Sequence, residues 1–88
     1  MEAIERAIRA FGSQAAMASA LGVKQPTISE WLRGDRRVPA ERCPQIERET
    51  RRLARDKSDP SLIVTCEQLR DDVAWEVLRE QAVDAKAA

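Results

Sequence analysis

Within the segment QPTISEWLR, Gln25 to Arg33, polar and apolar side chains separate onto two sides of a helix. Ile28, Trp31 and Leu32 fall at i, i+3 and i+4 and make an inner face, leaving Gln25, Pro26, Ser29, Glu30 and Arg33 outside. The outer face offers hydrogen bonds more than charge, which suits the edges of nucleic-acid bases. Gln25 can pair bidentately with adenine N6 and N7, and Pro26 can make apolar contact with a thymine methyl. Ser29 can donate or accept, and Glu30 can accept from cytosine N4 while repelling phosphate. Gln25, Pro26, Ser29 and Glu30 are therefore the candidate base-contacting residues. Lys24, Thr27, Arg33, Arg36 and Arg37 flank them where phosphates would run, and Gln14, opening an earlier helix, can offer backbone N–H groups to one more.

These residues need a frame, and the preceding sequence supplies one. Ser13 can cap a helix over Gln14 to Ala20, with Met17 and the small Ala18 facing inward so that a second helix crosses closely. Leu21, Gly22 and Val23 form the turn. Gly22 sits where the chain leaves the first helix with positive φ, and Leu21 and Val23 bury on either side of it. The second helix follows at once. A helix-turn-helix accounts for all these positions. The plainer alternative is an antiparallel helix pair with a glycine turn, and both the three-residue turn and the charge-poor outer face count against it.

The chemistry of catalysis is poorly represented. There is no histidine, no glycine-rich phosphate loop, and no acid and nucleophile that helical spacing would bring together. This inventory speaks against an enzyme. Cys43 and Cys66 lack metal-ligand spacing, so neither a metal nor another cofactor is expected, and both read as reduced packing residues. No apolar run is long enough to span a membrane and no export leader is recognisable, so the chain reads as cytoplasmic with no membrane partner.

The net charge of zero hides an asymmetry. Residues 1–55 hold eleven Lys and Arg against seven Asp and Glu, an excess of +4, whereas residues 56–88 hold four against eight, an excess of −4. The basic excess runs through Arg33, Arg36, Arg37, Arg42, Arg48, Arg51, Arg52 and Arg55. For Arg33, Arg36 and Arg37 phosphate contact is favoured. For Arg48 to Arg55 a solvated helix face is an equal alternative.

Eighty-eight residues suffice for one small core. An opening helix is expected from the stripe Ile4, Ala7, Ile8 and Phe11, with Glu2 and Glu5 in its first turn and Gly12 ending it. After Gly34, a C-cap, the loop GDRRVP lets Val38 plug the core. A fourth helix is expected over about Glu41 to Leu53, with Ile46, Thr50 and Leu53 on one side and Pro44 in its first turn. A start at Pro39 or Ala40 would bring a kink or a separate short turn near Cys43. Residues 1–54 thus read as the DNA-binding domain, 55–61 as a linker or exposed loop, and 62–88 as a helical extension that packs on the domain or forms a dimer contact. Residues 62–65 have strand propensity, but Thr65 and Gln68 match a capping box, so a helix from about Cys66 to Val83 is preferred. Leu69, Val73, Val77 and Leu78 would form its apolar stripe. Trp75 stands off it, either folded back onto the domain, the preferred reading, or anchoring a subunit interface.

With AIERAIRAFGSQAAMASALGV, QPTISEWLRG, RVPAERCPQIERET and VTCEQLRDDVAW in hand, the chain resembles the lambda-repressor-like superfamily, and within it the phage Cro repressors and YdaS-type antitoxins. The resemblance covers most of the chain. It implies an all-α, compact helix-turn-helix bundle of about five helices. It also implies a repressor of phage, prophage or toxin-antitoxin promoters that binds operator DNA, commonly as a two-fold dimer. Between Thr50 and Val64 the usual short glycine-containing connection is replaced by RRLARDKSDPSLI, so the resemblance speaks for the motif rather than for the C-terminal packing.

The expected function is a sequence-specific regulator binding a palindromic operator through a helix in the major groove. One recognition helix per chain calls for two copies on half-sites about 34 Å apart, hence a homodimer at least on DNA. The competing class is a protein-interaction module whose acidic C-terminal helix captures a partner such as a toxin or a polymerase subunit, with DNA binding weak or secondary.

Overall fold

The computed structural model describes residues 3–87, with side chains described through Gln81. Glu2, expected in the first helical turn, lies outside the described residues, as does the Val83 side chain. Helix α1, Ala3–Phe11, buries Ile4, Ala7 and Ala10, with Ile8 and Phe11 packed at the core margin. Ser13 adopts extended backbone and its hydroxyl accepts from the Ala16 amide at 3.0 Å, which starts α2, Gln14–Leu21. Met17, Ala18 and Leu21 of α2 are buried.

Gly22 then takes φ 71°, a left-handed conformation that costs a residue without Cβ nothing. The Val23 amide reaches the Ala18 carbonyl at 3.0 Å and the Gly22 amide the Ser19 carbonyl at 3.3 Å, a Schellman closure of α2. Arg42 completes that end, its guanidinium donating to the Leu21 carbonyl at 2.8 Å. One member of the basic run is thus a structural clip. Helix α3, Gln25–Arg33, has Pro26 in its first turn and buries Ile28 and Trp31. Leu32, expected on the inner face, is 36% exposed. The inner side of so short a helix is filled by Ile28 and the bulk of Trp31, which lines a cleft with Ala3, Ile4, Val38 and Leu69, and Leu32 lies one residue beyond that contact. Gly34 repeats the left-handed closure at φ 80°.

Val38 enters the core, and the chain makes a 3-10 turn, Ala40–Arg42, before α4, Cys43–Asp56, with Pro44 in its first turn. The short separate turn expected for an early start is present. Cys43, Ile46, Thr50 and Ala54 form the inner face of α4. Beyond α4 the chain is tied down: Lys57 Nζ donates to the Ala10 carbonyl at 2.8 Å, and Leu62, in a second 3-10 turn Pro60–Leu62, packs with Ala10 and Ala54. Residues 63–65 then run extended with no strand pairing among the described residues. The backbone of buried Val64 is met by Thr50, whose hydroxyl oxygen accepts from the Val64 amide at 3.0 Å and lies 3.3 Å from the Val64 carbonyl.

The expected capping box is present: Thr65 Oγ1 accepts from the Gln68 amide, and Gln68 Oε1 accepts from the Thr65 amide. The helix it opens is short. Where a single helix over Cys66 to Val83 was expected, α5 spans Cys66–Leu69 and α6 spans Trp75–Ala87, with a break between them. The Trp75 indole N–H donates to the Arg70 carbonyl at 2.6 Å while its ring, 7% exposed, joins the main core. A continuous helix would keep Arg70 and Trp75 on one rod; the break lets the ring turn inward, as the intramolecular reading required. Val77 and Leu78, expected on the same stripe as Leu69 and Val73, are instead 50% and 49% exposed.

Candidate nucleic-acid interface

Ile28 and Trp31 lock the inner side of α3 into the core and so fix which residues face out. Gln25, Pro26, Ser29, Glu30 and Arg33 line one shallow concavity of about 340 Å³. The four candidate base-contacting residues and one candidate phosphate contact are therefore neighbours in space. Gln25 and Pro26 are exposed at the start of the helix, and Lys24 and Thr27 adjoin them, the lysine exposed and the threonine half-buried.

Ser29 and Glu30 are half-buried and already engaged. The Ser29 hydroxyl donates to Gln14 Oε1 at 2.6 Å, which joins a residue assigned to bases with one assigned to phosphate. Glu30 accepts from Arg36 Nε at 2.9 Å. The remaining arginines of the group also hold carboxylates: Arg33 pairs with Asp35 at 2.9 Å and Arg37 with Asp72 at 2.9 Å. Lys24 has no ion pair among the described residues. All three arginines are well exposed, and ion pairs in such settings contribute about 0 to 1 kcal/mol each, so phosphate can compete for them. The face is consequently less basic in the free protein than its arginines suggest.

Two of these carboxylates were not singled out by sequence reasoning. Asp35 stands two residues from Arg33, a signal open to inspection. Asp72 comes from the break between α5 and α6 and meets Arg37 only through the tertiary fold. Arg70, backed by Arg37, holds the Asp72 carboxyl below the usual carboxylate range.

The outer arginines of α4 answer a different need. Arg51 and Arg52 pair with Glu47, Glu49 and Asp56 along their own helix, as a solvated face does. Glu47 also accepts from the Cys66 amide at 2.7 Å, capping α5 from outside, and from Arg79 of α6 at 3.1 Å. Beside it lies an apolar groove of about 400 Å³, lined by Pro44, Cys66, Trp75 and Leu78 and edged by Arg48, Arg51 and Arg79. It shares no residue with the α3 concavity. Burial pushes the free thiols of Cys43 and Cys66 up to about 11 and about 12, which favours the protonated form. Among the described residues no cluster of side chains suited to a metal ion occurs, and no helix is long and apolar enough to cross a membrane.

Residues 4–78 match the protein family described as Bacterial toxin YdaS. The chain is 44% identical over 78 residues to the protein named "Putative transcriptional regulator YdaS" of Escherichia coli (strain K12), across 89% of this chain and 69% of that protein. Among solved structures it is similar to the Cro protein from a putative prophage element in Xylella fastidiosa strain Ann-1, at a TM-score of 0.65 and 46% identity, over 83% of this chain and 95% of the other. The resemblance to Cro and YdaS proteins and the all-helical, Cro-like architecture are both borne out, while the family carries the description of a toxin rather than an antitoxin.

Proposed function

This chain belongs to the YdaS family, and we propose that it is a DNA-binding transcriptional regulator, a Cro-like repressor or autoregulator, that lays α3 in the major groove of a palindromic operator. One observation carries the reading: Gln25, Pro26, Ser29, Glu30 and Arg33 share a single outward surface on a helix whose other side the core immobilises. Gln25, free and exposed at the helix start, reads adenine; Pro26 packs on a thymine methyl; Ser29 and Glu30 supply acceptors. Lys24, Thr27, Arg33, Arg36, Arg37 and Gln14 hold the backbone on either side. Two copies engage the two half-sites.

Selection of bound sequences from random duplex DNA tests base preference, half-site symmetry and spacing together. An enriched inverted repeat is the expected result, and the absence of any enriched sequence would overturn the reading. A second reading, a protein-interaction module that captures a toxin or polymerase subunit, is favoured by the apolar groove beside α6 with Val77 and Leu78 exposed nearby. It predicts DNA binding without base preference, so the same selection separates the two.

A further inference from the structure

We infer that Asp72 is a positioning residue for the DNA-facing loop, a built-in competitor with phosphate for Arg37 that restrains sequence-independent binding. The inference rests on the DNA-binding reading above. The two partners of the Arg37–Asp72 ion pair are unequally held. Arg37 is a long side chain, 65% exposed, whose Nη1 meets Asp72 Oδ2 at 2.9 Å. Asp72 is held far more firmly. Arg70 grips both its oxygens, Nε to Oδ1 at 2.9 Å and Nη2 to Oδ2 at 2.6 Å, in a bidentate fork.

Arg70 is itself anchored at two further points. Its Nη1 donates to the Val38 carbonyl at 3.2 Å, and its own carbonyl accepts the Trp75 indole N–H, whose ring is buried. The carboxylate is therefore tied to the core through Arg70, while the exposed guanidinium of Arg37 has room to leave. When Arg37 leaves for a phosphate, Asp72 keeps Arg70 as its partner and no carboxylate is left uncompensated. The exchange is accordingly cheap, yet every phosphate must first outbid a fixed anion that stands next to the loop.

Arg33 and Arg36 differ from Arg37 in this respect. Their acids, Asp35 and Glu30, belong to the same loop or to α3 itself and move with the DNA-reading unit. Only the Arg37 pair, of these three, links that unit to the C-terminal segment. Among the described residues, the acidic excess of residues 56–88 thus meets this group of arginines at Asp72.

The test is binding of a random-sequence duplex across a range of salt concentrations by the full chain, by Asp72→Asn, by Arg37→Ala, by the double variant and by Asp72→Glu. Asp72→Asn should bind about three- to fivefold tighter and steepen the salt dependence by about one unit, the signature of one added phosphate contact. In that background Arg37→Ala should remove the whole unit, whereas in the otherwise unchanged chain it should remove less than half of it. Asp72→Glu, which keeps the charge, should behave as the original chain. Equal effects of Asp72→Asn with and without Arg37, or weaker binding in both, would overturn the inference while leaving DNA binding intact. Should Asp72→Asn fail to fold, Asp72→Ser with Arg37→Ala gives the same comparison. An original chain without any salt-sensitive affinity for duplex would remove the DNA-binding reading and this inference with it.

Discussion

The hydroxyl of Ser29 on α3 donates to the side-chain oxygen of Gln14, the first residue of α2, at 2.6 Å. This bond pins the two helices of the motif on their solvent side, while Met17, Ala18, Ile28 and Trp31 join them inside. It also restricts what each residue can do next. With its proton committed to Gln14, Ser29 has only lone pairs left and can accept from adenine N6 or cytosine N4; the Gln14 amide keeps its N–H donors for a phosphate.

Gln25→Ala should weaken operator binding by about 1 to 3 kcal/mol and relax preference at one base pair per half-site, because a bidentate contact to adenine is lost. Binding isotherms on an operator and its single-base variants measure both effects. Unchanged base preference would remove Gln25 from readout.

Lys24→Ala should lower the salt dependence of DNA binding by about one unit for all sequences alike, since Lys24 has no ion pair among the described residues to surrender. Arg36→Ala should lower it less, and also shift base preference, because it frees Glu30 from its 2.9 Å partner. Titrations at several salt concentrations on two unrelated duplexes compare the pair.

Trp31→Ala should cost about 3 to 5 kcal/mol and bring so small a domain close to unfolding. Trp75→Phe is the finer probe: it keeps an aromatic ring in the core but removes the donor to the Arg70 carbonyl, a loss of about 1 kcal/mol. Denaturant melts of both variants give these values, and native melting of Trp31→Ala would mean that the ring is not core.

Acid should destabilise the fold partly through Glu47. Its burial would raise the carboxyl, but the Cys66 amide and Arg51 outweigh that and hold it below its ordinary value of 4.5. A carboxyl depressed in the folded state contributes stability that is complete above the ordinary value and disappears as pH falls through the lower, folded one. Thermal melts from pH 7 downward should therefore show a loss beginning near pH 4.5 that is smaller in Glu47→Gln. Identical pH profiles for the two chains would exclude this carboxyl as the source.

Self-association should map to the exposed side of α6. Val77→Glu with Leu78→Glu should abolish cooperative binding to a full palindrome while leaving the melting temperature nearly unchanged, since both side chains are half exposed. A chain cut after Arg55 should fail to fold, because Leu62, Val64, Cys66 and Trp75 are core residues. Sedimentation with and without DNA decides the first point: undiminished cooperativity would move the dimer contact elsewhere.

Apart from Leu32, the elements of the first forty residues were legible because their signals are local. Ser13 meets the Ala16 amide within one helical turn, Gly22 and Gly34 close helices through their own φ, and Ile28 and Trp31 declare a buried side by spacing alone. The Thr65 and Gln68 capping box is local too, and it marked the start of α5 correctly. The end of α5 was not marked. Leu69, Val73 and Val77 keep a helical spacing across Arg70 to Ala74, yet the helix is broken there, and the break comes with contacts that spacing does not report: Trp75 in the core, and Arg70 bonded to both Asp72 and Val38. Leu32 likewise satisfied the spacing, yet it lies exposed. The outward set Gln25, Pro26, Ser29, Glu30 and Arg33 was thus determined by sequence periodicity. The acids that hold its arginines were decided by chain reversals, which bring Asp72 to Arg37 as they bring Arg42 to the Leu21 carbonyl. Periodicity reports the direction of a side chain from its own helix; which distant group waits there depends on how the helices stack.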